Sequence, residues 1–412
     1  MTGGVRFEAW RSAAGFDRGG FGGDVLGRGG FGGGVHQGTV VAGHMLTFAH
    51  AVGLRRYADP FGETATFEYA AWVSPEVRSV VGATALVPSW NAETPGDSWL
   101  EVEVRVSLDA VTMSRWFSLG RWAETDAVIH RTSVPGQDDG RVRIVTDTLD
   151  MVSGTFASYQ LRVALHRPFG STVLPRVRLL GAMTSATSSV APSSDAGAGV
   201  WSDGAAWGTE LRVATYSQQV HRGEYPELGG GGESWCSPTS TSMVLDYWGR
   251  GPAPAEYAWV DPGLADRCVA QAARQVYDHA YAGAGNWSFN VAYAARPGLT
   301  AFVTRLRSLA EAESYLTAGI PLVASLAFRA GELAGAGYQT QGHLLVIVGF
   351  DDQGNVICND PASHGQPRNE AVRVVYDRAQ FERAWQGGSG GIVYVIHPDD
   401  VPLPADLAEP HA

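Results

Sequence analysis

The sequence predicts an α+β protein in two parts, an antiparallel β-sandwich or jelly roll followed by a mixed α+β domain. Residues 62–182 alternate apolar and polar side chains with a period of two, and turn-forming clusters separate the runs. Residues 185–199, SATSSVAPSSDAGAG, are small and polar, as is typical of a flexible linker. We therefore expect a β-sandwich at 1–184, a linker at 185–208 and an α+β domain at 209–405.

Composition excludes several classes of function. The 412 residues are too many for one ordinary domain, and a hydrophobic content of 45% is ample for packed cores. A formal charge of −12 argues against nucleic acids and anionic membrane surfaces as partners, and no apolar run is long enough to span a bilayer. Every basic side chain other than histidine is an arginine. A P-loop lysine, a Schiff-base lysine and a Ser-Lys dyad are therefore excluded.

The first 45 residues are rich in glycine and contain RGGFGG twice, at 18–23 and 28–33. Such repeats are typical of RNA-binding tracts, but two copies in an acidic chain favour the glycine-rich edges of a β-domain. The opening MTGGVRFEAW lacks the basic and apolar segments of a signal peptide. Either the protein stays in the cytoplasm or a leader has been removed.

The predicted sandwich is best seen in WLEVEVRVS and YQLRVALHR, where alternate residues are apolar and face one side. Five tryptophans of this region could form a sugar-stacking platform, although such residues more often lie in the core or at its rim. They are Trp72, Trp90, Trp99, Trp116 and Trp122. A carbohydrate or a cell-surface ligand is therefore one candidate partner of the sandwich.

The second part contains helix-forming segments followed by apolar strand-forming runs. A helix should follow Pro238 and run to Trp248, where Gly249 ends it. Further helices are expected at 262–281, 308–318 and 377–386. The apolar runs predict strands: LVASLAF, LLVIVGF, NVICND, AVRVVY and GIVYVI.

The three cysteines are Cys236, Cys268 and Cys358, an odd number that fits neither a disulfide framework nor a zinc finger. Cys236 follows a run of glycines and lies just ahead of Pro238, at the predicted start of a helix. The positive end of a helix dipole lowers the pKa of a thiol and favours the thiolate. Cys236 is therefore a candidate nucleophile, and the alternative is a packed thiol.

A base for this thiol is predicted from TQGHLLVIVGFDDQGNVICNDPASHG. His343 begins an apolar strand, DDQGN reverses the chain, and the next strand ends at Asp360. Two antiparallel strands joined in this way bring the start of the first beside the end of the second. We expect Asp360 to orient the ring of His343 toward the thiol, with Asn359 as the alternative partner.

The segments WCSPTSTSMVLDYWG, GHLLVIVGF and NDP resemble the papain-like bacterial cysteine peptidases related to the double-glycine leader peptidases. The resemblance spans about residues 210–398 and implies a papain-like fold. It implies that Cys236 is the nucleophile, His343 the general base and acid, and Asp360 the orienting carboxylate. The oxyanion-hole glutamine of the family lies upstream of the cysteine and matches Gln218, with Gln219 as the alternative.

The resemblance implies a peptide or protein substrate and no cofactor, and because many stand-alone relatives are exported it favours an extracytoplasmic location. Double-glycine leader peptidases are fused to a membrane transporter, which this sequence lacks, so their substrate is not implied. Ser237 replaces the glycine usual in the family, which would narrow the cleft or lower activity. The residues expected to bind substrate are Trp235, Ser237, Trp287 and Gly342, with Phe289 beside them.

Three functions remain open from sequence. The first is peptide hydrolysis through a thioester, and the second is acyl transfer to an amine by the same triad. The third is an inactive relative that serves as a binding or adhesion protein, for which Ser237 would be the sign. GGSGG at 387–391 matches the nucleophile-elbow pattern, but a helix precedes it and a strand follows, so Ser389 is expected in a loop. No metal-ligand spacing occurs, and no metal is predicted.

Overall fold

The computed structural model describes residues 4–11, 30–109, 111–186, 202 and 204–404. These residues form two compact units, one built mainly from the chain before residue 187 and one mainly from the chain after residue 203. Most of the predicted linker and the first RGGFGG repeat lie outside the described residues. The domain boundaries therefore stay a prediction. No helix within the described parts of the chain is long and apolar enough to cross a membrane.

The first unit contains fourteen strands within its described residues. They are β1 Val5–Arg11, β2 Val35–Gln37, β3 Thr39–Ala42, β4 Met45–Phe48, β5 Gly53–Ala58, β6 Thr64–Val73, β7 Val77–Ala83, β8 Ala85–Glu93, β9 Trp99–Ser107, β10 Phe117–Trp122, β11 Val142–Val145, β12 Thr148–Met151, β13 Phe156–Pro168 and β14 Arg176–Ser185. One sheet has the order β11-β12-β8-β14-β4-β3, with β1 also on β14. The other has the order β10-β9-β13-β6-β2, with β5 on β6 and β7 on β13.

Aromatic contacts show that the two sheets pack face to face. Trp90 of one sheet and Trp122 of the other have ring centroids 6.5 Å apart, and Trp10 and Trp72 are paired at 5.4 Å. The strands pair antiparallel, as in the register of β9 against β13. The predicted antiparallel β-sandwich is confirmed. In β9 and β13 the alternate residues that face the other sheet form the core, whereas β8 and β14 are buried along most of their length.

The tryptophans do not form an exposed sugar platform. Trp72, Trp90, Trp99 and Trp122 are all fully buried, because each fills space against a sheet face. Trp116 is half-buried and lies under the guanidinium group of Arg105. The structure therefore corrects the five-residue platform considered from sequence.

The second unit is mixed α and β. Its elements are β15 Thr209–Glu210, α1 Cys236–Tyr247, α2 Arg267–Val276, α3 Trp287–Ala295, β16 Thr300–Arg305, α4 Leu309–Thr317, β17 Leu322–Phe328, β18 Thr340–Phe350, β19 Val356–Asn359, β20 Arg373–Tyr376, α5 Arg378–Ser389 and β21 Ile392–His397. The sheet has the order β16-β21-β17-β18-β19-β20, with β15 on β18. The predicted α+β class is confirmed, with helices first and most strands later.

The helix boundaries differ from the predictions in ways that local chemistry explains. α1 begins two residues before Pro238, which occupies its first turn, where proline is tolerated. α5 continues through two glycines to Ser389 and ends at Gly390, whose φ of 72° is left-handed. Ser389 is therefore a helical residue and not the loop residue expected. α3 was not predicted, and its N-cap is Asn286, whose side chain accepts a hydrogen bond from the backbone N–H of Phe289.

Candidate functional site

The glycines before Cys236 allow a tight approach that other residues would prevent. Gly230 and Gly231 have φ values of 99° and 104°, a region that side chains disfavour. A Cβ atom on Gly232 would lie 2.2 Å from the carbonyl oxygen of His221. The chain therefore turns sharply here and enters α1 with Cys236 as the first helical residue. Cys236 is half-buried.

His343 and Asp360 are brought together by the pairing of β18 with β19. His343 lies near the start of β18, and Asp360 directly follows the last residue of β19. The His343 Nε2 atom is 2.8 Å from Asp360 Oδ1, and both side chains are buried. This contact occupies one ring nitrogen, and the other is left for Cys236.

The charges of Cys236 and His343 depend on each other. Burial alone would raise the pKa of the Cys236 thiol, but a hydrogen bond to His343, the charge of that ring and the backbone N–H groups of Leu344 and Ser237 lower it. Burial would lower the pKa of His343, but the charge of Asp360 and the hydrogen bonds to Asp360 and Cys236 raise it. A thiol with a lowered pKa beside a histidine with a raised pKa favours a thiolate–imidazolium pair.

Helix α1 is attached to β18 by polar contacts close to the thiol. Ser240 lies one turn after Cys236 on the same face of the helix. Its hydroxyl donates to the carbonyl oxygen of Leu344 at 3.0 Å, and the backbone N–H of Leu344 is among the groups that lower the pKa of Cys236. The residue after His343 is therefore bonded to α1 through its carbonyl oxygen. Five consecutive or near-consecutive polar residues of α1 are buried: Ser237, Thr239, Ser240, Thr241 and Ser242.

Asp360 is surrounded by donors that sequence reasoning missed. The hydroxyl groups of Tyr338 and Tyr376 donate to its Oδ2 atom at 2.7 and 2.6 Å, and the N–H of Ala362 donates to Oδ1 at 2.9 Å. Burial would raise the pKa of Asp360, but the charge of His343 and these hydrogen bonds lower it. Neither tyrosine lies in the recognisable motifs, and only the folded sheet brings them to the carboxylate.

Gln218 contacts both the segment that follows Asp360 and the loop that precedes Cys236. It begins a short 3-10 helix, and its backbone N–H donates to the carbonyl oxygen of Pro361 at 3.0 Å. Its side-chain Nε2 donates to the carbonyl oxygen of Glu233 at 2.5 Å, three residues before the cysteine. The side chain of Gln219 instead accepts a hydrogen bond from Arg222. Gln218 is thus the glutamine whose amide is directed toward the loop of Cys236.

Two residues expected to contact substrate have their side chains in the interior. The indole of Trp235 is fully buried and donates to the carbonyl oxygen of Leu228. The Ser237 hydroxyl is fully buried and lies 3.0 Å from the hydroxyl of Tyr394. Neither side chain reaches the surface, so their burial gives no support for contacts with substrate, and their part in substrate binding stays a prediction.

The other predicted residues have different surroundings. Gly342 is exposed beside His343, and a Cβ there would meet no atom within 4 Å. Trp287 is half-buried at the start of α3, whereas Phe289 is fully buried, which makes Phe289 a packing residue. Asn359 donates to the backbone oxygens of residues 213 and 214. Asp360, and not Asn359, is therefore the partner of His343.

The remaining candidates lie apart from this constellation. The hydroxyl of Ser389 is buried and donates to the carbonyl oxygen of Ser325. All three cysteines are free. Burial raises the pKa of Cys268 to about 11 and also raises that of Cys358, so both thiols are disfavoured as nucleophiles. Within the described residues, no three His, Cys, Asp or Glu side chains are grouped as metal ligands would be.

Two family models match the chain. Residues 25–185 match the Peptidase C39 N-terminal domain, and residues 210–391 match the Peptidase C39-like family. None of the curated proteins compared matches the chain. A solved structure from Bacillus anthracis, described as a C39-like peptidase, has 19% sequence identity and a TM-score of 0.28, and the match covers 45% of this chain and 94% of that one. A carbohydrate-binding module of the β-sandwich superfamily has 11% identity and a TM-score of 0.17, over 36% of this chain and 55% of that one.

The fold and the matched models define a β-sandwich followed by an α+β domain of the cysteine-peptidase class. The matches cover both units and agree with the resemblance of the sequence motifs to bacterial cysteine peptidases. Both matches support assignment to the C39 peptidase family, residues 25–185 to the model of its N-terminal domain and residues 210–391 to the C39-like model.

Proposed function

We propose that the protein is a cysteine peptidase that hydrolyses peptide bonds through Cys236, His343 and Asp360. The observation that carries this proposal is the contact of His343 Nε2 with Asp360 Oδ1 at 2.8 Å, with Cys236 hydrogen-bonded to the same ring. One nitrogen of the ring is thereby committed to the carboxylate, and the other is available for proton transfer with the sulfur.

In the proposed reaction the Cys236 thiolate attacks the carbonyl carbon of the peptide bond. The imidazolium of His343 then gives its proton to the leaving amine, the C–N bond breaks, and a thioester remains on the sulfur. Water attacks the thioester with His343 as the base, which releases the new carboxylate and regenerates the thiolate–imidazolium pair. Asp360 keeps the ring oriented and stabilises its positive charge in both steps.

The oxyanion that forms during attack requires donors that already point at it. We assign this role to the backbone N–H of Cys236 and the side-chain amide of Gln218. One N–H of that amide bonds to Glu233, which orients the group and leaves its second N–H for the substrate. Gln219 is less suited, because its side chain is engaged with Arg222.

The alternative of an inactive relative rested on Ser237, and its hydroxyl is buried against Tyr394. No structural feature favours that alternative or acyl transfer over hydrolysis. The thiol is only half-buried, and Gly342 next to His343 is exposed, so neither position is sealed inside the protein. Hydrolysis is therefore the function supported best.

The proposal is tested by digestion of a peptide library with wild-type protein and with Cys236→Ala. We expect cleavage by the wild type and none by the variant, because the nucleophile is lost while the start of α1 keeps its packing. Cys268→Ala is the matched control, since it removes a thiol whose pKa is raised, and it should cleave normally. Cleavage by Cys236→Ala at the wild-type rate would overturn the assignment.

A further inference from the structure

The carboxylate of Asp360 has a donor in each of its acceptor positions. His343 Nε2 and the N–H of Ala362 meet Oδ1 at 2.8 and 2.9 Å. The hydroxyls of Tyr338 and Tyr376 meet Oδ2 at 2.7 and 2.6 Å. An ionised carboxylate accepts about four hydrogen bonds, so this one is saturated without any water. Its rotation is fixed, and Oδ1 is kept on His343.

The two tyrosines are not equivalent. Tyr376 is fully buried on β20, and its ring packs against Phe381. Tyr338 is half-buried in the segment between β17 and β18. Its ring centroid lies 5.3 Å from that of His343, with the planes at 72°. Tyr338 therefore contacts both the histidine and its carboxylate, and it lies between this pair and the outside.

We infer that Tyr338 is a positioning residue that orients the His343–Asp360 pair with its hydroxyl and shields the pair from water with its ring. The inference rests on the proposed function, because it concerns the same histidine. A ring within about 6 Å of a cation also stabilises that cation. Exclusion of water strengthens the attraction between imidazolium and carboxylate, since the local dielectric is lower.

The hydroxyl and the ring of Tyr338 have opposite effects on the proton of His343. Without the hydroxyl, Asp360 is more basic and holds the imidazolium proton more strongly. Without the ring, water screens the pair and the proton is held more weakly. The other titratable groups that face the pair are Cys236 on α1, Tyr376 on β20 and the buried Cys358 on β19. All three of these side chains are still present in the Tyr338 variants. His364 also lies against this segment: its backbone N–H donates to the carbonyl oxygen of Ala336 at 3.2 Å, and it lies beside Gly337.

The test measures alkylation of Cys236 by iodoacetate against pH in the full chain, with the labelled peptide identified by mass spectrometry. The thiolate displaces iodide and forms an S–C bond, and the anionic reagent is attracted by the imidazolium of His343. The rate should therefore rise as the thiolate forms and fall as His343 loses its proton, which gives a bell-shaped profile. No peptide substrate is required.

We expect Tyr338→Phe to move the alkaline limb of the profile upward by about half a pH unit. Tyr338→Leu should move the same limb downward by about one pH unit. Tyr376→Phe removes the other hydroxyl from Oδ2 of Asp360 and leaves the ring of Tyr338 beside His343. The alkaline limb of this variant should therefore move upward as well. Tyr247→Phe, which removes a hydroxyl bonded to the carbonyl oxygen of Gly319, should move neither limb.

The outcomes separate this inference from the proposed function. A wild type without a bell-shaped profile overturns the thiolate–imidazolium pair and, with it, the inference. A wild-type bell that both Tyr338 variants leave unchanged overturns the inference alone. Shifts of the two variants in the same direction overturn the shielding role. If Tyr338→Leu does not fold, as judged by circular dichroism, the direction of the Tyr338→Phe shift decides.

Discussion

Each unit of the molecule buries a histidine close to a carboxylate, and the two histidines, His166 and His343, differ in charge. In the sandwich, Arg55 contacts both Glu101, at 2.6 Å, and His166, at 3.4 Å. Burial and the charge of Arg55 lower the pKa of His166 to about 3. In the second unit, the pKa of His343 is raised by Asp360. His166 is therefore neutral at pH 7, whereas His343 is positively charged.

The difference lies in what else binds each carboxylate. Glu101 forms ion pairs with two guanidinium groups, those of Arg55 and Arg121. Burial would raise the pKa of Glu101, but the charges of the two arginines lower it to about 2. Asp360 receives neutral hydroxyls and one backbone N–H, and the cation that acts on it is His343. A carboxylate already neutralised by arginine does not hold a proton on a neighbouring histidine. A buried histidine beside an acid is thus a candidate site only when no permanent cation neutralises the acid.

The largest effect is expected from Asp360→Asn. The amide keeps the shape of the side chain but carries no charge, so the pKa of His343 falls toward its ordinary value. The specificity constant kcat/KM for a cleaved peptide should drop by about a thousandfold. His343→Ala should lose more, because it removes the proton carrier itself. An Asp360→Asn variant within about tenfold of the wild type would contradict the comparison.

Glu101→Gln should affect stability and not chemistry. It leaves two guanidinium groups without a counter-charge in a largely buried position, at a cost of about 3 kcal/mol in the free energy of unfolding. The matched control is Glu103→Gln on the same strand, whose partner Arg162 is partly exposed and which should cost about 1 kcal/mol or less. Urea denaturation of both variants measures the difference. Equal losses of unfolding free energy in the two variants would mean that the burial of Glu101 between two arginines does not raise its contribution to stability.

The smallest effect at neutral pH is that of His166, whose contribution to the stability of the sandwich changes only as the pH falls. His166 has a lower pKa folded than unfolded, so the unfolded chain binds the extra proton between about pH 6.5 and 3. Stability therefore decreases as the pH falls through this window, by about 1.4 kcal/mol per pH unit for this group. His166→Phe keeps a ring stacked on Trp99 and should flatten the slope by that amount. Urea denaturation at several pH values checks this, and an unchanged slope would show that His166 is not buried as a neutral ring.

The fold class was predictable because its signals are local. Period-two alternation predicts the strands of the sandwich, and the prolines and glycines mark most helix boundaries. The alternation in WLEVEVRVS correctly assigns Val102 and Val104 to the core. It wrongly suggests that Glu101 faces water, because a second apolar cluster that includes Tyr57 and Trp99 covers that part of the sheet. The covering segment is distant in sequence and leaves no local signal.

The candidate site was predictable to the extent that its residues begin or end elements. Cys236 opens a helix, and His343 and Asp360 lie at the adjoining ends of paired strands. Tyr338 and Tyr376 could not be found in this way, because Tyr338 lies in the segment before β18 and Tyr376 at the end of β20, and only the folded sheet brings them to Asp360. The burial of the Ser237 side chain was not predictable, because its position next to the cysteine says nothing about which face of the helix it occupies.

The polar character of α1 has a mechanical consequence. Hydrophobic contacts are not directional, so a helix with an apolar face can slide or rotate slightly over a sheet with little loss of contact. Hydrogen bonds are directional and weaken steeply when misaligned. Because the Ser240 hydroxyl bonds to the carbonyl oxygen of Leu344, sliding of α1 along the strand would break that contact. The hydrogen bond therefore resists movement of the helix that carries Cys236 relative to the strand that carries His343.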